Sequence, residues 1–171
     1  MTIAAAPAGA RDCDSFLDDM RSLLPAANRL AYAMLQDPSE AEDAVQEAML
    51  KAWRARHRLR EGSVLRPWFL TIVANQCRQQ RRNRWWSVVK WGDVPERPAA
   101  ESLGTAEATD LRRAVARLPF RPRLALVLRY YLDLPLDEVG EALGISTGAA
   151  KSLVHRALVA LRAHLSGGVE E

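Results

Sequence analysis

The chain has 171 residues, of which 49% are hydrophobic and 6% aromatic, and a formal net charge of +3. This length holds one ordinary domain or two small ones. Cys13 and Cys77 are too few and too far apart for a disulfide framework or a zinc site. The amino terminus lacks the features of a signal peptide, and the most apolar run, 124–136, is too short to span a bilayer. We therefore expect a cytoplasmic protein with no membrane insertion, no cofactor and no metal.

The charges are segregated along the chain. Residues 1–50 carry three basic and nine acidic side chains, whereas residues 51–90 carry eleven basic and one acidic. Such a density of arginine attracts polyanions, and phosphate backbones are the usual partner. A solvated surface is the plainer alternative, but such surfaces usually intersperse the two signs.

The first half of the chain predicts helices. The first covers 15–36, with Pro25 as a bend or a new start. The second begins at Asp37, whose carboxylate can cap the opening amides, and runs to about Arg56. Its exposed side carries Glu42, Asp43, Gln46 and Glu47. Carboxylates stabilise any helix N-terminus, so these residues indicate either helix stabilisation or a docking face for a basic partner helix.

A third helix is expected from Arg66 to about Arg84, with an apolar face and a basic one. Three arginines at helical spacing form a stripe that could follow a phosphate backbone: Arg78, Arg81 and Arg82. Asn75 could contact a base edge or simply face solvent. Trp68 could stack on an unpaired base, although core packing explains it at least as well.

The polar, aperiodic stretch 87–108 predicts a flexible linker. After it, Asp110 is expected to cap a new helix, and another helix should cover 124–132. The fold class predicted is all-α. Two small helical domains, 12–86 and 109–166, would be joined by the linker.

Residues 136–156 predict a helix-turn-helix. Leu136, Val139 and Leu143 have the spacing of a buried helix face, and Gly144 suits a turn with positive φ. Ser146 can cap the second helix, which carries basic side chains and no carboxylate. A helix-turn-helix with a cationic outer face is typical of major-groove readers, and an ordinary helical hairpin is the alternative.

Motifs for catalysis are lacking in the sequence. It contains no nucleophile elbow, no glycine-rich phosphate loop and no carboxylate dyad in an apolar setting. We therefore do not expect an enzyme.

Two sets of segments resemble bacterial sigma factors. The segments 37–54 and 65–70, together with Asn75, resemble region 2. The segments 118–123, 126–131 and 144–157 resemble region 4. Two such regions alone, joined by a short linker, resemble the extracytoplasmic-function (ECF) group. The resemblance implies a promoter-specificity subunit that binds core RNA polymerase and starts transcription at its own promoters.

The resemblance also implies roles for individual residues. Docking on the polymerase β′ clamp helices would involve Asp43, Gln46, Glu47 and Trp53. The minus-ten element would be melted and held by the helix that carries Trp68, Asn75, Arg78, Arg81 and Arg82, with Asn75 beside a flipped base. The minus-thirty-five element would be read by Lys151, Ser152 and His155, with Arg156 on a phosphate. The β flap and an anti-sigma factor are further implied partners.

The chain departs from the family pattern in three places: the recognition helix, the melting helix and the start of the linker. At the start of the linker, Trp85, Trp86 and Trp91 either cover the core of the first module or form an apolar patch for region 4 or an inhibitor to bury. Leu153 stands where an arginine is common, which removes one DNA contact, and Ala150 stands where a valine is common. Thr71 replaces a common arginine in the melting helix. Two other functions remain alternatives: a conventional helix-turn-helix regulator that acts without polymerase, and a sigma-like decoy that binds an anti-sigma factor.

Overall fold

The computed structural model describes residues 13–59, 64–91 and 106–166, except for the side chains of 84–91 and 106–107. Within these ranges the chain forms helices and no strand, which confirms the all-α prediction. The helices are α1 (Cys13–Leu35), α2 (Pro38–Ala55), α3 (Leu65–Trp91), α4 (Ala106–Arg117), α5 (Phe120–Leu126), α6 (Leu136–Leu143) and α7 (Thr147–Ser166). None of the described helices is long and apolar enough to cross a membrane.

Helices α1, α2 and α3 pack against one another as the N-terminal module. Asp37 caps α2 as predicted, because its carboxylate accepts a hydrogen bond of 2.9 Å from the Glu40 amide. Of the two alternatives at Pro25, a bend or a new start, the new start is wrong, because α1 continues through this residue. Met20 and Leu30, on either side of Pro25, are buried in the same core and hold the helix together across it.

Both ends of the predicted linker 87–108 are helical. Helix α3 continues past Arg84 to Trp91, and α4 begins at Ala106. The prediction that Asp110 caps this helix is therefore wrong: it lies within α4 and pairs with Arg113 at 3.5 Å. The middle of the predicted linker, 92–105, lies outside the described residues.

Helices α4 to α7 form the C-terminal module. The helix predicted at 124–132 begins earlier, after Pro119, and changes at Val127–Tyr131 to a π-helical turn. The Leu132 amide accordingly donates to the Val127 carbonyl at 2.9 Å, five residues back. This turn leads into the predicted helix-turn-helix, which the structure forms from α6 and α7.

The two modules pack directly on each other. Helix α3 lies against α6, and α1 contacts α5. Leu128 and Val139 of the C-terminal module belong to the same buried cluster as Phe69 and Leu70 of α3. The sequence pattern does not predict this packing. The packing determines which residues surround the basic helix α3.

Candidate nucleic-acid and polymerase interfaces

One side of α2 presents an acidic face, which comprises Glu42, Asp43, Gln46 and Glu47. All four side chains are exposed, while the opposite side of the helix is buried. Gln46 donates to the Glu42 carboxylate at 3.4 Å. Within the described ranges, no basic side chain pairs with Asp43 or Glu47. The acidic face therefore leaves charges available to a cationic partner.

Trp53 lies at the far end of α2 and is only partly exposed. Its ring packs 6.1 Å from that of Phe16, centroid to centroid, and the Arg56 guanidinium lies 4.0 Å from its centroid. A cation over an indole face is a stabilising arrangement. Trp53 is thus anchored to the N-terminal core, and only its outer edge could join the acidic face.

Helix α3 divides between a buried face and an exposed polar one. Phe69, Leu70 and Val73 are fully buried, while Asn75, Arg78, Arg81 and Arg82 are exposed. An Arg78 Nη donates to the Asn75 side-chain oxygen at 2.5 Å, so that the asparagine amide group is oriented by its neighbour. The arrangement places an amide, a group able to hydrogen-bond base edges, beside a cation of the kind that binds phosphate.

The five predicted minus-ten residues are not equally placed. Trp68, Asn75 and Arg82 follow one another at intervals of seven residues, so that each is offset by about 20° from the previous one around the helix and the first and last differ by about 40°. Arg81 points elsewhere, with its guanidinium 5.8 Å from the Phe120 ring of the C-terminal module. Trp68 is partly buried and packs against the core, in agreement with the plainer explanation of this residue.

The turn of the helix-turn-helix is built as predicted. Gly144 has a φ of +65°, and the Ile145 amide donates to the Gly140 carbonyl at 2.9 Å. A Cβ on Gly140 would lie 2.8 Å from the Ile145 carbonyl oxygen, so only glycine lets the backbone of the turn approach α6 this closely. Ser146 caps α7 by accepting a 3.2 Å hydrogen bond from the Ala149 amide.

The outer face of α7 presents Lys151, Ser152, His155 and Arg156, all of them exposed. The inner face buries Ala150, Val154 and Ala157. Ser152 donates to the Gly148 carbonyl at 3.1 Å, and Arg156 Nε donates to the Ser152 carbonyl at 3.4 Å. The four predicted residues thus share one exposed surface, as a helix that enters the major groove requires.

The departures at Ala150 and Leu153 have a structural reason. Ala150 is fully buried, and Leu153 packs against the cluster that includes Leu126 and Val154. Leu153 contributes to the core of the C-terminal module at the position where the family commonly has an arginine. The substitution therefore exchanges a polar contact for apolar burial.

A cleft of about 210 Å³ opens beside the contact between α3 and the C-terminal module. Thr71, Asn75 and Arg78 line one wall, and Phe120 and Glu141 line the other. The sequence pattern predicts neither this second wall nor the side chains that contact the other module beside it: Arg66, Thr71 and Arg123. The sequence offers one signal for this contact between the modules: Arg123 is a charged residue directly before an apolar run, where a buried charge needs partners.

Within the described residues, two helical modules carry an exposed acidic face, a basic helix and a helix-turn-helix, an architecture typical of DNA-binding proteins. A family model described as Sigma-70 region 2 matches residues 20–87, and one described as Sigma-70, region 4 matches residues 108–161. The chain is 32% identical over 142 residues to the ECF RNA polymerase sigma factor SigL of Mycobacterium tuberculosis, covering 78% of this chain and 79% of SigL.

Two further similarities agree with this one. The RNA polymerase sigma factor SigV of Bacillus subtilis is 29% identical over 147 residues, covering 81% of this chain and 83% of SigV. Among solved structures, the sigma factor RpoE of Bartonella quintana, in complex with the anti-sigma factor NepR, matches with a TM-score of 0.74 and 27% identity. That match covers 90% of this chain and 98% of RpoE.

The chain belongs to the ECF RNA polymerase sigma factors, which bind core RNA polymerase and direct promoter-specific transcription initiation. These are non-enzymatic initiation factors. A conventional helix-turn-helix regulator does not account for the match of the N-terminal module to region 2.

Proposed function

We propose that the chain docks on core polymerase through the acidic face of α2 and on promoter DNA through α3 and α7. In this assignment 12–86 is the polymerase and minus-ten module, 109–166 is the minus-thirty-five module, and 87–108 links them. The observation that carries the proposal is the acidic face, whose exposed Asp43 and Glu47 lack an ion-pair partner in the described chain.

The acidic face is suited to the β′ clamp helices if these present arginine or lysine. Charge complementarity steers association and fixes register, and it weakens as salt is added. Trp53 would contribute the edge of its ring at the end of the same helix. The contact of the C-terminal module with the β flap is proposed from the family resemblance alone.

Helix α3 is assigned to the minus-ten element. Its exposed polar face would hold a flipped base at Asn75, oriented by Arg78, while Arg82 follows the strand backbone. Arg81 and Trp68 remain part of the assignment. Arg81 is directed towards the C-terminal module in the present structure, and Trp68 is half-buried.

Helix α7 is assigned to the minus-thirty-five element in duplex form. Lys151, Ser152 and His155 would face base edges, and Arg156 would contact a phosphate. The exposure of all four on one side of the helix supports the assignment.

We further propose that an anti-sigma factor holds the chain inactive in the cytoplasm. The support is the similarity, over 90% of the chain, to a sigma factor solved in complex with one. A decoy that binds an anti-sigma factor without directing transcription is the competing function.

Run-off transcription tests the whole assignment. The full chain, core polymerase and promoters identified from transcripts induced by its overexpression should give initiation that depends on the added chain. Failure of a folded chain to support initiation, together with tight anti-sigma binding, would favour the decoy.

The docking assignment has its own test. Changing Asp43, Gln46 and Glu47 together to Ala should weaken binding to core polymerase at least tenfold and leave the helical content unchanged. The control is a triple change of exposed residues on α1, Asp14→Ala, Asp18→Ala and Ser22→Ala. Equal core affinity of the two triple variants would refute the docking face.

A further inference from the structure

A second basic surface lies on the N-terminal module, outside the residues assigned to the minus-ten element. It comprises Lys51, Arg54 and Arg58, which we call the basic track, and all three side chains are exposed. They are three and four residues apart, so they follow one side of α2 and of the short helical turn Arg56–Arg58 after it. The basic track is therefore a line of positive charge about 10 Å long.

The carboxylates of α2 do not neutralise the basic track. Glu47 precedes Lys51 by four residues, a spacing at which glutamate and lysine often pair on a helix. The Lys51 ammonium instead donates to the Gln79 side-chain oxygen of α3 at 3.5 Å. Within the described ranges, Arg54 and Arg58 form neither an ion pair nor a hydrogen bond. The positive charges are thus available to an anionic partner.

Stabilisation of the end of α2 is the simplest alternative explanation, because cations favour a helix C-terminus. In this chain a different side chain contacts that end. Arg56 donates to the Trp53 carbonyl at 2.8 Å, and its guanidinium lies over the Trp53 ring. The end of α2 therefore does not depend on the basic track for hydrogen bonds.

The contact between Lys51 and Gln79 places the basic track beside the exposed face of α3. Gln79 follows Asn75 by four residues, which is about 6 Å along the helix and about 40° around it. Arg78 lies about 60° from Asn75 in the other direction and lines the cleft with Phe120. Asn75 thus has a cation on each side, and the basic track is on the side away from the cleft.

This placement suits the backbone of a single strand. A nucleotide whose base is held at Asn75 is joined to its neighbours by phosphates, and DNA beside an unpaired base is itself open. Proteins that bind single strands combine base contacts with a positively charged groove that follows the backbone. Lysine binds phosphate as a point charge and arginine binds it as a planar fork, so both kinds of side chain in the basic track fit this ligand.

We propose that the basic track binds the phosphate backbone of the single strand whose base Asn75 holds, and so helps to keep the minus-ten element melted. The basic track contacts no base and supplies affinity for open DNA, whatever its sequence. The proposal rests on the assignment of α3 to the minus-ten element.

A salt series with a variant that lacks the three charges tests the basic track. Lys51→Gln, Arg54→Gln and Arg58→Gln are combined in the full chain bound to core polymerase. The probe is a promoter fork, duplex through the minus-thirty-five element and single-stranded in the minus-ten element, with each strand in turn as the single strand. For the strand that binds more tightly, the slope of log affinity against log salt should fall by about 2, since each single-strand contact contributes about 0.7. An unchanged slope would overturn the proposal.

The matched control removes the same net charge elsewhere. It combines Arg21→Gln, Arg113→Gln and Arg117→Gln, at exposed positions of α1 and α4, two helices without an assigned DNA contact. This variant should keep the wild-type slope. An equal fall for the two triple variants would attribute the effect to net charge and overturn the basic track.

A second probe separates single-stranded from duplex DNA. It is a duplex that carries the minus-thirty-five element and ends before the minus-ten element. The variant without the basic track should bind this duplex as tightly as the wild type, because α7 is unchanged. Equal losses of affinity on the fork and on the duplex would contradict binding to the single strand.

A charge-conserving variant shows whether phosphate is the ligand. Arg54→Lys combined with Arg58→Lys should keep the wild-type slope on the fork, because the backbone accepts either cation. A fall as large as that of the glutamine variant would mean that the guanidinium shape is required, which contradicts the proposal.

Two measurements separate this proposal from the function on which it rests. The variant without the basic track should bind core polymerase as the wild type does, and a weaker affinity would reassign these residues to the polymerase interface and overturn the proposal. Asn75→Ala should weaken binding to the fork with little change in slope, because asparagine is uncharged. If Asn75→Ala has no effect while the basic track changes the slope, the assignment of α3 fails and the basic track stands. The opposite result overturns the basic track alone.

Discussion

Arg123 reaches the end of α1 from the other module, where its guanidinium donates to the Met34 carbonyl at 3.1 Å. This bond links the two modules, and their apolar cores are continuous with each other. We therefore expect the modules to unfold in one cooperative transition. Arg123→Met should separate the transition into two, seen by calorimetry as a calorimetric enthalpy larger than the van't Hoff value. Two transitions in the wild type would show that the modules are energetically independent.

The turn at Gly140 should tolerate no side chain. Gly140→Ala places a methyl group 2.8 Å from the Ile145 carbonyl oxygen, and we expect it to lower the free energy of unfolding by about 1–3 kcal/mol. Gly148→Ala is the matched control, since nothing lies within 4 Å of its Cβ and alanine favours a helix. In urea denaturation, the free energy of unfolding of Gly148→Ala should equal or exceed that of the wild type.

The cap of α2 should contribute measurably to stability. Asp37→Ala removes the acceptor for the Glu40 amide, which costs about 1 kcal/mol at a helix N-terminus. Ser39→Ala, on the exposed first turn, should change the unfolding midpoint little. Equal midpoints for these two variants would indicate that water replaces the cap at no cost.

The two classes of contact expected on α7 should differ in their salt dependence and specificity. Arg156→Ala should weaken binding to all duplexes and reduce the salt slope of the affinity by about 1, since it removes one phosphate contact. Lys151→Ala should mainly relax discrimination between cognate and altered minus-thirty-five sequences. Fluorescence anisotropy over a salt series measures both effects, and a uniform loss for Lys151→Ala would reassign it to the backbone.

Stability should depend on the Cys77 thiol in alkaline solution. Burial raises its pKa to about 12 from the ordinary value of 9.0. The core holds the neutral thiol, so the contribution is complete below pH 9 and is lost as pH rises towards 12. This group should lower the free energy of unfolding by up to about 1.4 kcal/mol per pH unit in that window.

The control for this prediction is Cys77→Ala, in which the free energy of unfolding should lack this added dependence on pH. Cys13→Ser should keep it. At neutral pH a thiol reagent should modify one cysteine in the folded chain and two in urea. Rapid modification of both in the folded chain would contradict the burial of Cys77.

Features set by neighbouring residues were predictable from the sequence. The Asp37 cap, the positive φ of Gly144 and the Ser146 cap each depend on residues within a turn of one another, and the structure confirms all three. The exposed surfaces of α2 and α7 follow from helical spacing in the same way. Their roles in polymerase and DNA binding stay predictions.

The structure differs from the sequence-based predictions where a local signal does not decide the helix boundary or where the contact partners are distant in sequence. Pro25 does not interrupt α1, because apolar residues on both sides of it enter one core. Asp110 has the chemistry of a cap, but α4 begins before it. Thr71 and Arg123 meet acceptors 71 and 89 residues away, a separation that no periodicity encodes.

The acidic face of α2 has no part in the packing between the modules and is exposed while they are packed together. In the proposed assignment, the polymerase-binding surface is therefore accessible without any rearrangement of the two modules, and core polymerase needs to find only one exposed helix face to recruit the whole chain.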